Sequence, residues 1–156
     1  MMRSTYILAA WTFLAGAGIP LIGVLNSGMA RSVGNPFGAT AVMFAVAFLV
    51  ALGLSLPLYG VTGYSQIGSA PLSSYGAGLL ICFYALSATV VIPRLGAGNF
   101  IAFILVAQLA TAAAIDQFGL FGMVRQPANA LKLGGLLLIL GGIMLMQVAG
   151  KSPSPT

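Results

Sequence analysis

Between Arg31 and Arg94 the chain carries no charged residue, and long uncharged intervals separated by single charges run through the whole sequence. Only Arg3, Arg31, Arg94, Asp116, Arg125, Lys132 and Lys151 are charged. That is 4% of a chain that is 60% hydrophobic, against roughly 25% charged residues in a soluble domain. No water-facing surface can be built from this composition. A helix needs about 20 mostly apolar residues to cross a bilayer core, and five stretches qualify: residues 6–29, 37–56, 75–92, 97–115 and 133–148. The expected fold is an all-α, polytopic transmembrane bundle of five helices, forming one domain over residues 1–150.

A membrane β-barrel would show alternating segments of about ten residues. These runs are Leu/Ala/Gly-rich and apolar on every side, so their backbone groups must be satisfied internally, as in helices. The connections are written in breaker residues: Ser32 to Pro36, Pro57 to Pro71, Pro93 to Gly98 and Gln117 to Asn129. None is long enough for a folded domain outside the membrane. The Pro57–Pro71 segment, with Tyr59 and Tyr64, suits a flexible interfacial loop or a gate, and residues 151–156 read as a disordered tail. Arg3 and the apolar run after it imitate a signal peptide, but the run continues to Leu25, so an uncleaved first helix is expected. The single cysteine, Cys82, lies in the third stretch and reads as a small packed hydrophobe.

The net charge of +5 does not point to nucleic acid, because the basic residues stand singly at helix ends as interfacial anchors. With five spans, Arg3, Arg125 and Lys132 share one side of the membrane and Arg31, Arg94 and Lys151 the other, 3 against 3. Lys and Arg bias sets orientation. A chain without bias can insert both ways, and two opposed copies can pair as an antiparallel homodimer. The alternative, of equal weight, is one miscounted turn or a Lys132 that lies within the fifth helix.

Polar side chains inside hydrocarbon must be paired or face a cavity. Trp11 and Asn26 share one broad face of the first helix, Tyr84 and Ser87 share a face of the third, and Gln108 stands near the middle of the fourth. These five are the substrate-pathway candidates. Four of them also have a structural reading: Trp11 at the lipid boundary, Asn26 capping a helix end, Ser87 returning its hydroxyl to its own backbone, and Gln108 cross-linking helices. Pro20 should kink the first helix. Asp116, the only acidic residue, falls at the end of the fourth helix, where an ion pair with Arg125 is favoured over proton coupling. Gly134 with Gly141, and Gly135 with Gly142, recur at seven-residue intervals in the fifth helix and predict a face for close dimer packing; Gly16 and Gly23 repeat the spacing in the first.

With no histidine, one cysteine and one carboxylate, metal clusters, triads and paired carboxylates are absent from a single chain. No phosphate loop is present. No enzyme activity, catalytic residue, metal or other cofactor is expected, and translocation is the simplest remaining chemistry.

Four segments carry a resemblance: Gly23 to Asn35, Phe83 to Gly96 with its Pro93-Arg94-Leu95-Gly96 turn, Gln108 through Asp116 to Gly122, and Leu133-Gly134-Gly135-Leu136 to Gly141-Gly142. Together they resemble the drug/metabolite transporter superfamily, and within it the short, five-helix, YdcZ-like inner-membrane exporters, over essentially the whole chain. The resemblance implies a multi-pass transporter of the bacterial inner (cell) membrane in which two copies replace the ten helices of longer relatives. Small multidrug exporters, which the last helix also resembles, carry a glutamate in their first helix; this first helix has no acidic residue, so their proton-for-cation exchange is not implied. The leading expectation is a small-molecule transporter working by alternating access at a dimer interface. The alternatives are a lipid or headgroup translocase and a non-transporting subunit that docks through its glycine faces.

Overall fold

The computed structural model describes residues 2–149, with side chains described from Thr5. The expected tail, with Lys151, lies outside the described residues. Five long helices account for most of the described residues: α1 (Met2–Val33), α2 (Pro36–Tyr59), α3 (Leu72–Leu95), α4 (Ala97–Phe118) and α5 (Ala130–Ala149). All five are long and apolar enough to cross a membrane, and no strand occurs among the described residues. The fold is an all-α transmembrane bundle.

Every helix is longer than the apolar runs alone predict. α2 continues through Pro57 to Tyr59, and α3 through Pro93 to Leu95. A proline this close to a helix end removes only one backbone bond near a terminus whose carbonyls are already short of partners, so the helix ends just beyond it rather than before it. α1 also continues through Pro20, as membrane helices can when neighbouring groups compensate the lost donor.

The α1–α2 connection is built from three residues with separate tasks. Gly34 takes φ 72°, a left-handed conformation that suits glycine and ends α1. Asn35 is extended, and its Oδ1 accepts from the backbone N–H groups of Phe37 (3.0 Å) and Gly38 (3.2 Å). Pro36 fills the first helical position, where no donor is needed. This tight reversal lays the first turns of α2 beside the last turns of α1.

The described residues fall into two compact units, divided between Ala97 and Gly98. In the first, α1, α2 and α3 pack mutually. The α1–α3 contact is close at Gly23, where a Cβ would lie 2.4 Å from Ile92 Cδ1 and 3.6 Å from Ala88 Cβ. Ala85, Ala88 and Ile92 are buried on α3, so small residues on both helices let the backbones approach. Beyond α2, the segment to Pro71 contains two short 3₁₀ turns, Val61–Tyr64 and Ile67–Ser69. It is tied down twice: Tyr64 shares a hydrogen bond with Ser55, and Tyr75 donates to Ile67 O at 2.5 Å.

In the second unit the return from α4 to α5 is laced to the end of α4. Gln126 N–H donates to Asp116 O (2.8 Å), Arg125 Nε to Gln117 O (2.9 Å), and Ala128 N–H to Gln117 Oε1 (2.8 Å). Asn129 caps α5, its Oδ1 accepting from Lys132 N–H at 2.8 Å.

Candidate functional site

The most buried polar side chains of the first unit meet at one point. Asn26 of α1, Thr40 of α2 and Thr89 of α3 are 4%, 2% and 3% exposed. Asn26 Nδ2 donates to Thr40 Oγ1 at 3.0 Å and to Thr89 Oγ1 at 2.6 Å, so a single amide joins three helices. Thr89 passes its own proton to Ala85 O at 2.7 Å. One residue on, Ser27 donates to Gly23 O at 2.7 Å and lies 3.3 Å from Thr89 O. The local sequence explains the convergence. Gly23, Asn26 and Ser27 occupy adjoining turns of α1, while the Gly34-Asn35-Pro36 reversal delivers Thr40 to the same level.

Asn26 Oδ1 is buried and has no hydrogen-bond partner among the described residues. Asn26 also lines a cleft of about 250 Å³ between α1 and α2. Ile22, Leu25 and Met29 form one wall and Val42, Met43 and Val46 the other, which leaves Asn26 as the one polar lining residue. The cleft is apolar over nearly all of its surface, with a fixed amide at one point, the usual composition of a small-molecule site.

Of the five residues singled out on sequence, the structure brings only Asn26 to this place. Asn26 lies well inside α1, which extends to Val33, so it does not cap the helix. Trp11 stands toward the other end of α1 and is 75% exposed. Ser87 donates to Phe83 O at 2.8 Å, back-bonding to its own helix. Tyr84 is half-buried on α3, and Gln108 is exposed on α4. Thr40 and Thr89 were the partners that sequence reasoning missed. Each is a threonine in an apolar helix, where a hydroxyl bonded to its own backbone is the default.

Asp116 pairs with Lys132, Nζ to Oδ2 at 2.5 Å, instead of with Arg125. The reason lies in the return loop. Arg125 is held on Gln117 O, whereas the Asn129 cap starts α5 early enough to place Lys132 within its first turn, facing the end of α4. Both ion-pair partners remain about one-third exposed, which suits a structural bridge. The α5 glycines Gly134, Gly135, Gly141 and Gly142 have no atom within 4 Å of an added Cβ, and no described residue of α5 is buried. Among the described residues no cluster of His, Cys, Asp or Glu is arranged to hold a metal.

No curated protein and no solved structure matches the chain. A family model described as "Putative inner membrane exporter, YdcZ" matches residues 7–145. That span takes in the cleft, the three-helix amide node and most of all five apolar helices, and it accords with a multi-pass inner-membrane transporter. The chain belongs to the YdcZ family of inner-membrane exporters.

Proposed function

We propose that the chain moves a small neutral or anionic molecule across the bacterial inner membrane by alternating access, and that it works as a homodimer with the α1–α2 cleft of each copy forming part of the path. The carrying observation is the cleft itself, an apolar groove with one rigidly held amide. A buried polar group in a membrane helix is a default functional candidate, and here three helices fix its orientation.

Two further features support a dimer. Five helices can hardly enclose a solvated path and also close it alternately, whereas an interface between two bundles can. The open glycine faces of α5 and the exposed amide of Gln108 on α4 are the small-residue and polar elements by which membrane helices associate. Proton coupling through a carboxylate finds no support, because the only acidic residue is engaged with Lys132 at a helix end.

The test is release of solutes from proteoliposomes loaded with a bacterial metabolite extract and followed by mass spectrometry. The expected result is selective loss of a subset of metabolites through the wild type and not through Val46→Trp, which fills the cleft from its rim. Scrambling of a labelled phospholipid without metabolite release would instead assign lipid as the cargo.

A further inference from the structure

We infer that Gln108 marks the two-fold axis of an antiparallel homodimer, its amide pairing reciprocally with the amide of Gln108 in a second copy where the two α4 helices meet at mid-membrane. The inference rests on the homodimer of the proposed function and adds to it the face, the register and the direction of pairing.

α4 runs from Ala97 to Phe118, so Gln108 has eleven residues before it and ten after it. In a spanning helix that position lies near the bilayer centre. The side chain is exposed and has no hydrogen-bond partner among the described residues. Water would supply partners to such an amide, whereas hydrocarbon supplies none and leaves it with the full cost of lost hydration. It therefore calls for a donor and an acceptor from outside the chain. A primary amide offers both, so two of them face to face can each donate one N–H to the other's oxygen.

Across a two-fold interface residue i meets j and j meets i, and in an antiparallel pair only a residue at the middle of its helix meets its own copy. The neighbours of Gln108 fit that operation. On its face the preceding turn carries Ile104 and Leu105, and the following turn carries Thr111 and Ala112. None of the four is buried. A two-fold axis through Gln108 sets Ile104 against Ala112 of the second copy and Leu105 against Thr111, large against small in both halves. A parallel pair would set Leu105 on Leu105 and Ala112 on Ala112, crowding one half and leaving the other without contacts. Ile101 and Ile115 extend the stripe by seven residues each way, so Gln108 is a single polar position between apolar ones, the placement that fixes register in helix pairs. The even count of basic residues permits copies inserted in opposite directions.

Cross-linking reads the register with Gln108 intact. In the Cys82→Ser background, Ile101→Cys and Ile115→Cys chains with different tags are expressed separately and together, and native membranes are treated with a short bifunctional thiol reagent. In the antiparallel pair residue 101 of one copy lies level with residue 115 of the other, while like residues stand about 21 Å apart along the axis. The mixture should give unlike-tag dimers at least about tenfold in excess of like-tag dimers, and either chain alone should give almost none. Gln108→Leu changes an exposed position, so the single chain should fold as before, and sedimentation equilibrium in detergent should show dimerisation weakened about tenfold, the scale of two interhelical hydrogen bonds. Like-tag linkage of Ile101→Cys as strong as the mixed linkage overturns the inference, as does the absence of mixed linkage or a dimer that Gln108→Leu leaves unweakened. In those cases a wild type that is dimeric keeps the homodimer reading, through another face. A monomeric wild type overturns both.

Discussion

Asn26 Nδ2 lies 2.6 Å from Thr89 Oγ1, a contact between residues 63 positions apart that joins α1 to α3. The same nitrogen reaches Thr40 on α2, so the position of three helices converges on one planar group. The close packing of the first unit and its candidate site are therefore parts of one arrangement, and substitutions that loosen the node should affect both.

Thr89→Val keeps the shape and removes the acceptor for one amide hydrogen. It is expected to destabilise the protein by about 1–2 kcal/mol, the range for a buried unpaired donor and the upper end for interhelical bonds in membranes. Thr89→Ser should stay close to wild type. Thermal unfolding in detergent checks both, and equal Tm values for Val and Ser would remove the bond from the account.

At Gly23 the obstacle to a side chain is Ile92 Cδ1, at 2.4 Å from the position of a Cβ, while Ala88 Cβ at 3.6 Å is in ordinary contact. Gly23→Ala should therefore lower Tm through a clash with one methyl group. Gly23→Ala combined with Ile92→Val, which deletes that methyl, should recover most of the loss, the non-additivity expected of residues in contact. Strictly additive effects would mean that α1 and α3 do not meet in this way.

The Asp116–Lys132 bridge is partly exposed, and bridges of this kind contribute about 0–1 kcal/mol. Asp116→Asn should cost no more than that and should leave metabolite release from proteoliposomes intact at every pH tested. Loss of release with normal folding would restore a coupling role to this carboxylate.

If all five helices span, the sequence count of three basic residues on each side predicts insertion both ways, while Lys132 within the first turn of α5 keeps the competing reading in play; an orientation experiment separates them. With Cys82 replaced by serine and a single cysteine placed at Ser152, an impermeant thiol reagent should label two populations about equally from opposite faces of sealed membranes, as an antiparallel homodimer requires. Labelling from one face alone would contradict dual insertion.

Most of the fold is legible in the sequence because the bilayer demands it. Uncharged runs of sufficient length must be helices, and all five appear where the charges leave room for them. Helix ends were less legible, since Pro57 and Pro93 read as breakers although a proline near a C-terminus ends a helix only after another turn begins. Asn26 was visible as a costly amide in hydrocarbon. Its partners were not, because pairings with Thr40 and Thr89 span 14 and 63 residues and depend on the packing of α1 against two other helices. The exchange of Arg125 for Lys132 as the partner of Asp116 has the same origin. Nearness in sequence favoured Arg125, and the path of the return loop decided otherwise.

Water access to the α1–α2 cleft tests the transport account most directly. In the Cys82→Ser background, single cysteines at Met43 and Val46, which line the cleft, are compared with one at Phe48, an exposed α2 position outside the lining. A small, charged, water-soluble thiol reagent is applied to the protein in proteoliposomes. A transport path is wetted during its cycle, so modification at residues 43 and 46 should be at least about tenfold faster than at residue 48, on the scale by which polar reagents are excluded from hydrocarbon. Equal inertness at all three positions would show that the cleft stays filled with lipid, and the account of it as a transport path would be wrong.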